Sequence, residues 1–193
     1  MDITVTNRHW KDGFLYPFPE KRQLYDQLAA SLKKRFITSI IGLRRTGKTT
    51  LLKQLINSLI AEGVPRLSIL LYSFDDPAEL QTIIDEYLKR TAYDKEKDQL
   101  FFFLDEIQKL PDWQNKIKIY YDHYPNIKFI VSGSSSIFIR KRSESLAGRI
   151  QEFWLAPLSF KEFLQFRGKK ELIEKQQLFA AELVQEVEIF AGR

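Results

Sequence analysis

A glycine-rich loop between an apolar run and an amphipathic segment is the feature that most constrains the fold of this chain. The loop has the sequence GLRRTGKT at residues 42–49: a glycine, four residues, a second glycine, Lys48 and a hydroxyl residue. The run FITSII precedes it at residues 36–41, and residues 49–60 carry leucines and isoleucines at helical spacing. This order predicts a strand, a tight turn and a helix, with the N–H groups of the turn and the helix N-terminus facing one anion. We therefore interpret residues 42–49 as a phosphate loop.

The residue types in this loop suggest distinct roles. Lys48 is expected to reach the β- and γ-phosphates of a nucleotide, and the Thr49 hydroxyl to ligate Mg²⁺. Arg44 and Arg45 are unusual in such a loop, and contact with a partner or packing suits them as well as catalysis does. The predicted nucleotide contacts are Gly42, Arg44, Arg45, Thr46, Gly47, Lys48 and Thr49 of the loop, and Thr50 after it.

Apolar runs and helix-period segments alternate along the rest of the chain. The predicted strands after the first are residues 67–74, 100–104, 127–131 and 152–155. The predicted helices are residues 49–60, 78–90, 113–124, 160–166 and 171–190. Strands that are apolar along their whole length and separated by helices are typical of a parallel sheet covered on both faces. The predicted fold class is therefore α/β.

Two carboxylates follow the apolar run FFFL. Ligands of open α/β sheets bind outside the carboxyl ends of the strands, where Asp105 and Glu106 would lie. Asp105 is expected to hold Mg²⁺ through water, and Glu106 to polarise the water that attacks the γ-phosphate. An Asp-Glu pair after a strand is more often a helix N-cap when it stands alone. The phosphate loop earlier in the chain favours the catalytic interpretation.

Three further polar residues are candidates. Ser132 and Ser134 follow the run 127–131 in a predicted turn, where a side chain could contact the γ-phosphate or the attacking water. A helix N-cap suits them equally well. Arg149 is a candidate cation for transition-state charge, acting in its own or a neighbouring subunit, and a surface ion pair is its alternative.

Composition excludes several classes of site. The 193 residues contain no cysteine and two histidines, which rules out disulfides, zinc-thiolate sites and thiol catalysis and argues against a multi-histidine metal centre. No run approaches the ~20 apolar residues of a membrane span, so we expect a cytoplasmic protein without membrane contact. Thirty basic against twenty-five acidic residues give a formal charge of +5. We interpret this excess first as a mixed-charge surface, with nucleic-acid binding as the alternative.

Together the motifs resemble a known family. The segments are IIGLRRTGKTTLLKQL, YSFDDP, FFFLDEIQKLPDW, FIVSGSSS and SLAGRIQEFWLAPLSFKEFL. They are similar to segments of the archaeal and bacterial AAA-type ATPases of the ASCE class of P-loop proteins, in the same order, over roughly residues 8–167.

The resemblance implies a RecA-like core with strand order 5-1-4-3-2. It implies Lys48 and Thr49 in the phosphate loop, Asp105 and Glu106 as the metal-binding and water-activating carboxylates, and a sensor at residues 132–134. Arg149 matches the Gly-Arg position of the family. Members usually continue into a C-terminal domain, so we expect an ATPase core at residues 1–167. Residues 168–193 are then a C-terminal helix, interpreted as the start of a missing or truncated second domain.

The expected activity is hydrolysis of ATP to ADP with Mg²⁺, coupled to conformational change of a partner. A homo-oligomer, a nucleic acid and another protein are the partners under consideration. A small-molecule or nucleoside kinase remains an alternative, although the adjacent carboxylates favour hydrolysis. A nucleotide-binding interaction module with little turnover is a second alternative. A GTPase is disfavoured because residues 115–118, NKIK, lack the carboxylate that would pair with guanine.

Overall fold

A computed structural model describes residues 3–134, 146–169 and 171–173. Five strands form one sheet in the order β2-β3-β4-β1-β5, and every neighbouring pair is parallel. The strands are β1 (Ile37–Gly42), β2 (Ile69–Ser73), β3 (Leu100–Asp105), β4 (Ile127–Ser134) and β5 (Ile150–Leu155). Read from the other edge, this is the predicted order 5-1-4-3-2, so the predicted fold class is confirmed.

Five α-helices precede, connect or follow the strands along the described part of the chain. They are α1 (Tyr25–Ser31), α2 (Lys48–Ala61), α3 (Leu80–Thr91), α4 (Trp113–His123) and α5 (Phe160–Phe166). The sequence predicted all of them except α1, which has seven residues and only two buried apolar side chains, too few to show a helical period. Most of the predicted helix 171–190 lies outside the described residues.

One local prediction was wrong. Residues 132–134 were expected to form a turn, but they are the last part of β4. Ser132 pairs with Ile40 and Ser134 with Gly42 in the parallel ladder to β1. β1 continues to Gly42, and β4 pairs with it up to that residue. The hydrogen bonds between the two strands therefore keep residues 132–134 extended.

Apolar side chains fill both faces of the sheet. Successive residues of a strand point to opposite faces, so Phe102 packs with α3 and α4, whereas Phe101 and Phe103 pack with α1 and α2. Burial on both faces explains why the strands are apolar along their whole length.

The N-terminal segment covers the outer edge of β2. Asn7 Nδ2 donates to Leu71 O at 3.0 Å, and Leu71 N donates to Asn7 Oδ1 at 2.6 Å. Trp10 Nε1 donates to Ile69 O at 2.7 Å. These side chains satisfy backbone groups that an unprotected edge strand would expose to a second chain.

His9 belongs to this segment, and its side chain is fully buried. Its ring nitrogens lie 3.0 Å from the Tyr16 hydroxyl and 3.0 Å from Ile69 O. Burial lowers the pKa of His9 to about 4; the Arg66 charge acts in the same direction, and the bond to Ile69 opposes it.

Acidification is expected to destabilise the protein through His9. The ordinary pKa of histidine is 6.5, so between pH 6.5 and 4 the unfolded chain binds more protons than the folded one. The free energy of unfolding then falls as the pH falls, by at most about 3 kcal/mol. Denaturant unfolding of wild type and His9→Gln at pH 7 and pH 4.5 measures this, and the variant should lose less. Equal losses would show that His9 does not cause the acid sensitivity.

Contacts divide the chain into two compact units, Met1–Ala156 and Pro157–Arg193. In the second unit, a capping box begins α5: Ser159 Oγ accepts from Glu162 N at 3.2 Å, and Glu162 Oε2 accepts from Ser159 N at 3.0 Å. The predicted boundary at residue 167 stays a prediction.

No helix among the described residues has the length and apolar character needed to cross a membrane.

Candidate nucleotide-binding site

The carboxyl ends of three neighbouring strands form the candidate site. β1 ends at Gly42, β3 at Asp105 and β4 at Ser134, and the phosphate loop connects β1 to α2. Because parallel strands end at the same edge, residues far apart in sequence meet there. The structure thus brings the loop, both carboxylates and both serines to one edge of the sheet.

Both loop glycines are required by geometry. Gly47 has φ 99° and ψ 20°, a left-handed conformation, immediately before α2 begins. At Gly42 an added Cβ would lie 2.5 Å from the carbonyl oxygen of Leu155. A side chain would therefore strain the turn at Gly47 and collide with the end of β5 at Gly42.

Lys48 lies inside the loop and is buried. Its ammonium donates to Gly42 O at 3.1 Å and to Leu43 O at 2.9 Å. A buried charge needs such partners. The positive charge is therefore held at the centre of the loop, where the loop N–H groups would converge on a phosphate.

Asp105 connects the loop to the strands. It is buried, and its Oδ2 accepts from the Thr49 hydroxyl at 2.5 Å. Its Oδ1 accepts from Glu106 N at 3.0 Å and from the hydroxyl of Ser132. Hydroxyl and carboxylate oxygens are hard ligands of the kind that Mg²⁺ takes beside nucleotide phosphates. The two residues predicted to hold Mg²⁺ are thus in contact and chemically suited to it.

Glu106 has an uncommon backbone conformation, with φ 51° and ψ 40°. For a residue with a Cβ this region costs roughly 1–2 kcal/mol, and such strain concentrates at functional sites. The conformation turns the chain sharply after Asp105, so that Glu106 does not continue β3. Glu106 Oε2 accepts a hydrogen bond from the Gln108 side chain.

The two serines occupy different positions. Ser132 is fully buried and bonded to Asp105, so its hydroxyl orients the carboxylate expected to bind the metal. Ser134 is less buried, and its N–H donates to Gln108 Oε1 at 3.4 Å. A contact from either serine to the γ-phosphate stays a prediction.

Arg149 lies at the opposite end of the strands from the candidate site, beside the start of β1. Its carbonyl oxygen accepts from Ile37 N, the start of β1, at 2.8 Å. At ~3.3 Å per residue, the strand places the phosphate loop roughly 17 Å away. The guanidinium bonds Asp122 at 2.8 and 3.3 Å, and this contact lowers the pKa of that carboxyl below its ordinary value. In this arrangement Arg149 does not reach the loop of its own chain, and the ion pair foreseen as the alternative is present.

Three arginines lie at the loop: Arg44 and Arg45 within it, and Arg22, which bonds to its backbone. Arg44 and Arg45 are exposed, and Arg45 has φ 65°. Sequence reasoning missed Arg22, which donates to Thr46 O at 2.8 Å and to Ala156 O at 2.8 Å. Arg22 therefore ties the phosphate loop to the end of β5. No local pattern marks such a contact, because it depends on the tertiary fold.

Comparison with known proteins identifies the family. A family model described as "AAA domain" matches residues 34–164, which is more than half of the chain. The chain belongs to the AAA domain family. The matched region of this AAA domain begins before β1 and ends within α5, so it contains every site residue that the sequence predicted.

Curated relatives of this AAA domain are uncharacterized proteins. One from Haemophilus influenzae is 28% identical over 169 residues, covering 81% of this chain and 39% of the relative. One from Methanocaldococcus jannaschii is 33% identical over 150 residues, covering 74% of this chain and 32% of the relative. The chain thus spans only about a third of the length of the curated relatives it matches.

Proposed function

We propose that this AAA domain binds ATP with Mg²⁺ and hydrolyses it to ADP and phosphate. The observation that carries the proposal is the 2.5 Å contact between Thr49 and Asp105, beside the buried ammonium of Lys48. It joins the phosphate loop to the carboxyl edge of β3. Membership of the AAA domain family supports nucleotide binding.

Each site residue has a role in the proposed hydrolysis. The loop N–H groups and Lys48 bind the β- and γ-phosphates, and Thr49 and Asp105 hold Mg²⁺. When bound there, Mg²⁺ neutralises charge on the phosphate oxygens. Glu106 orients a water molecule toward the γ-phosphate and accepts its proton.

The partner and the setting are part of the same proposal. Hydrolysis would drive a conformational change in another protein, a nucleic acid or further copies of the chain, in the cytoplasm. The chain's basic excess supports an anionic partner, although the charges of both signs are interspersed.

Phosphate release by the purified protein with ATP and Mg²⁺ tests the function. Release that stops with EDTA and in Asp105→Asn supports metal-dependent hydrolysis at this site. Phosphate transfer to an added nucleoside or small-molecule acceptor, instead of to water, would favour the kinase alternative. Tight binding without release would favour the interaction module.

If Arg149 serves a neighbouring subunit, Arg149→Ala is expected to slow hydrolysis by roughly 10²- to 10⁵-fold while leaving ADP affinity nearly unchanged. Its position at the amino edge of the sheet then requires a head-to-tail contact between copies. Steady-state hydrolysis measured at several protein concentrations reports this, because specific activity should rise with concentration.

Asp122→Ala is the matched control, because it removes the same ion pair and keeps the arginine. Mixing Arg149→Ala with Glu106→Gln should restore some activity, since each variant supplies the group that the other lacks. If the two ion-pair variants behave alike and hydrolyse at the wild-type rate, Arg149 has only a structural part.

A further inference from the structure

Gln108 lies two residues after Glu106 and joins it to the end of β4. Its amide nitrogen donates to Glu106 Oε2, and its amide oxygen accepts from Ser134 N at 3.4 Å. We propose that Gln108 is a positioning residue that orients Glu106 for hydrolysis. This inference rests on the proposed ATPase function.

The backbone around Gln108 is anchored on both sides. A 3-10 helix over Ile107–Lys109 follows Glu106, with Lys109 N donating to Glu106 O at 3.0 Å. Ile107 and Leu110 flank the turn and are buried in the core. The backbone at Gln108 therefore cannot shift without exposing apolar side chains, and the hydrogen bonds to Glu106 and Ser134 orient its amide.

The chemistry of an amide suits the role. Within the described part of the chain, Glu106 Oε1 has no hydrogen-bond partner, whereas Oε2 is bonded to Gln108. One carboxylate oxygen is thus held and the other remains available to a water molecule. An amide is neutral, so it orients the carboxylate without the charge pairing that a lysine or arginine would bring.

The second contact ties the base to the phosphate loop. Ser134 pairs with Gly42, the residue at which the loop begins. Gln108 therefore links Glu106 to the strand that borders β1. This connection sets the separation between the base and the phosphate, and hydrolysis is sensitive to misplacement of about 1 Å.

Gln108→Ala separates positioning from binding. We expect single-turnover hydrolysis to slow by about 10- to 100-fold, with the ATP dissociation constant changed by less than about twofold. Gln108→Glu keeps the length of the side chain but places a second carboxylate against Glu106. It should lose at least as much activity.

Gln81→Ala is the matched control. Gln81 also bridges a carboxylate and a donor, because its amide nitrogen bonds Asp85 and its oxygen accepts from the Tyr120 hydroxyl. That bridge lies between α3 and α4, outside the candidate site, and its loss should leave both hydrolysis and ATP affinity unchanged.

The possible outcomes are distinct. If the wild type hydrolyses ATP and Gln108→Ala matches its single-turnover rate, the inference is overturned. A faster variant would also overturn it, since the contact would then restrain Glu106. Losses of affinity and rate in equal measure would indicate a structural role and count against it. A wild type that binds ATP and releases no phosphate would contradict the proposed function itself, before any variant is compared.

Discussion

Lys48→Ala should abolish measurable ATP binding. The ammonium is held in the centre of the phosphate loop by Gly42 O and Leu43 O. Charge-assisted hydrogen bonds contribute about 1.5–3 kcal/mol each, so losing contacts to two phosphates weakens binding by about 100-fold or more. Titration calorimetry with Mg²⁺ and ATP measures the change.

Two variants make the Lys48 result specific. Lys48→Met keeps most of the buried volume and should bind as weakly as the alanine variant. Lys53→Ala removes a lysine from the same helix, where its ammonium lies over the Tyr16 ring instead of in the loop. It should keep wild-type affinity. Unchanged ATP affinity in Lys48→Ala, with the fold intact by circular dichroism, would refute the phosphate-loop assignment.

Glu106→Gln should retain ATP binding and lose turnover by as much as about 10⁴-fold, because an amide preserves the shape of the side chain but cannot accept the proton of the attacking water. The left-handed backbone at Glu106 remains compatible with glutamine, so the fold should be kept. Single-turnover hydrolysis and ATP affinity measured on the same preparation separate the two effects.

Glu86→Gln is the control for Glu106→Gln. Glu86 is a carboxylate on α3 paired with Arg90, away from the candidate site. Its replacement should change neither ATP affinity nor turnover. Equal single-turnover rates in wild type and Glu106→Gln would remove Glu106 from the catalytic role and leave the water to be activated by another group.

Much of the fold could be predicted from local sequence. The segment around Gly47 predicted the turn between β1 and α2. A phosphate loop has a fixed spacing, and this one follows a short apolar run and precedes leucines and isoleucines at helical spacing. The uninterrupted apolar strands indicated a sheet buried on both faces. The strand order, by contrast, came from the resemblance to a family, because periodicity does not determine which strands are neighbours.

Local patterns were less informative where side chains contact distant backbone. The segment containing Asn7 and His9 has no strand or helix periodicity. Only the structure shows that it covers the edge of β2, since Asn7 bonds Leu71, which is 64 residues away in sequence. Ser132 was similarly ambiguous. Its residue type suits a helix cap or a phosphate contact, and only the register with β1 showed that it lies within a strand and bonds Asp105.

The sequence alone predicted the roles of the loop and the two carboxylates, because that prediction depends on residue type and short spacing within one strand-turn-helix or strand-turn segment. Only the tertiary structure decided which distant groups meet them. Thr49 contacts Asp105 because two parallel strands end at the same edge, and Ser132 bonds Asp105 because β4 lies beside β3 in the sheet. Arg149 is separated from the loop of its own chain for the same reason, since it precedes a strand whose carboxyl end, not its start, lies at that edge.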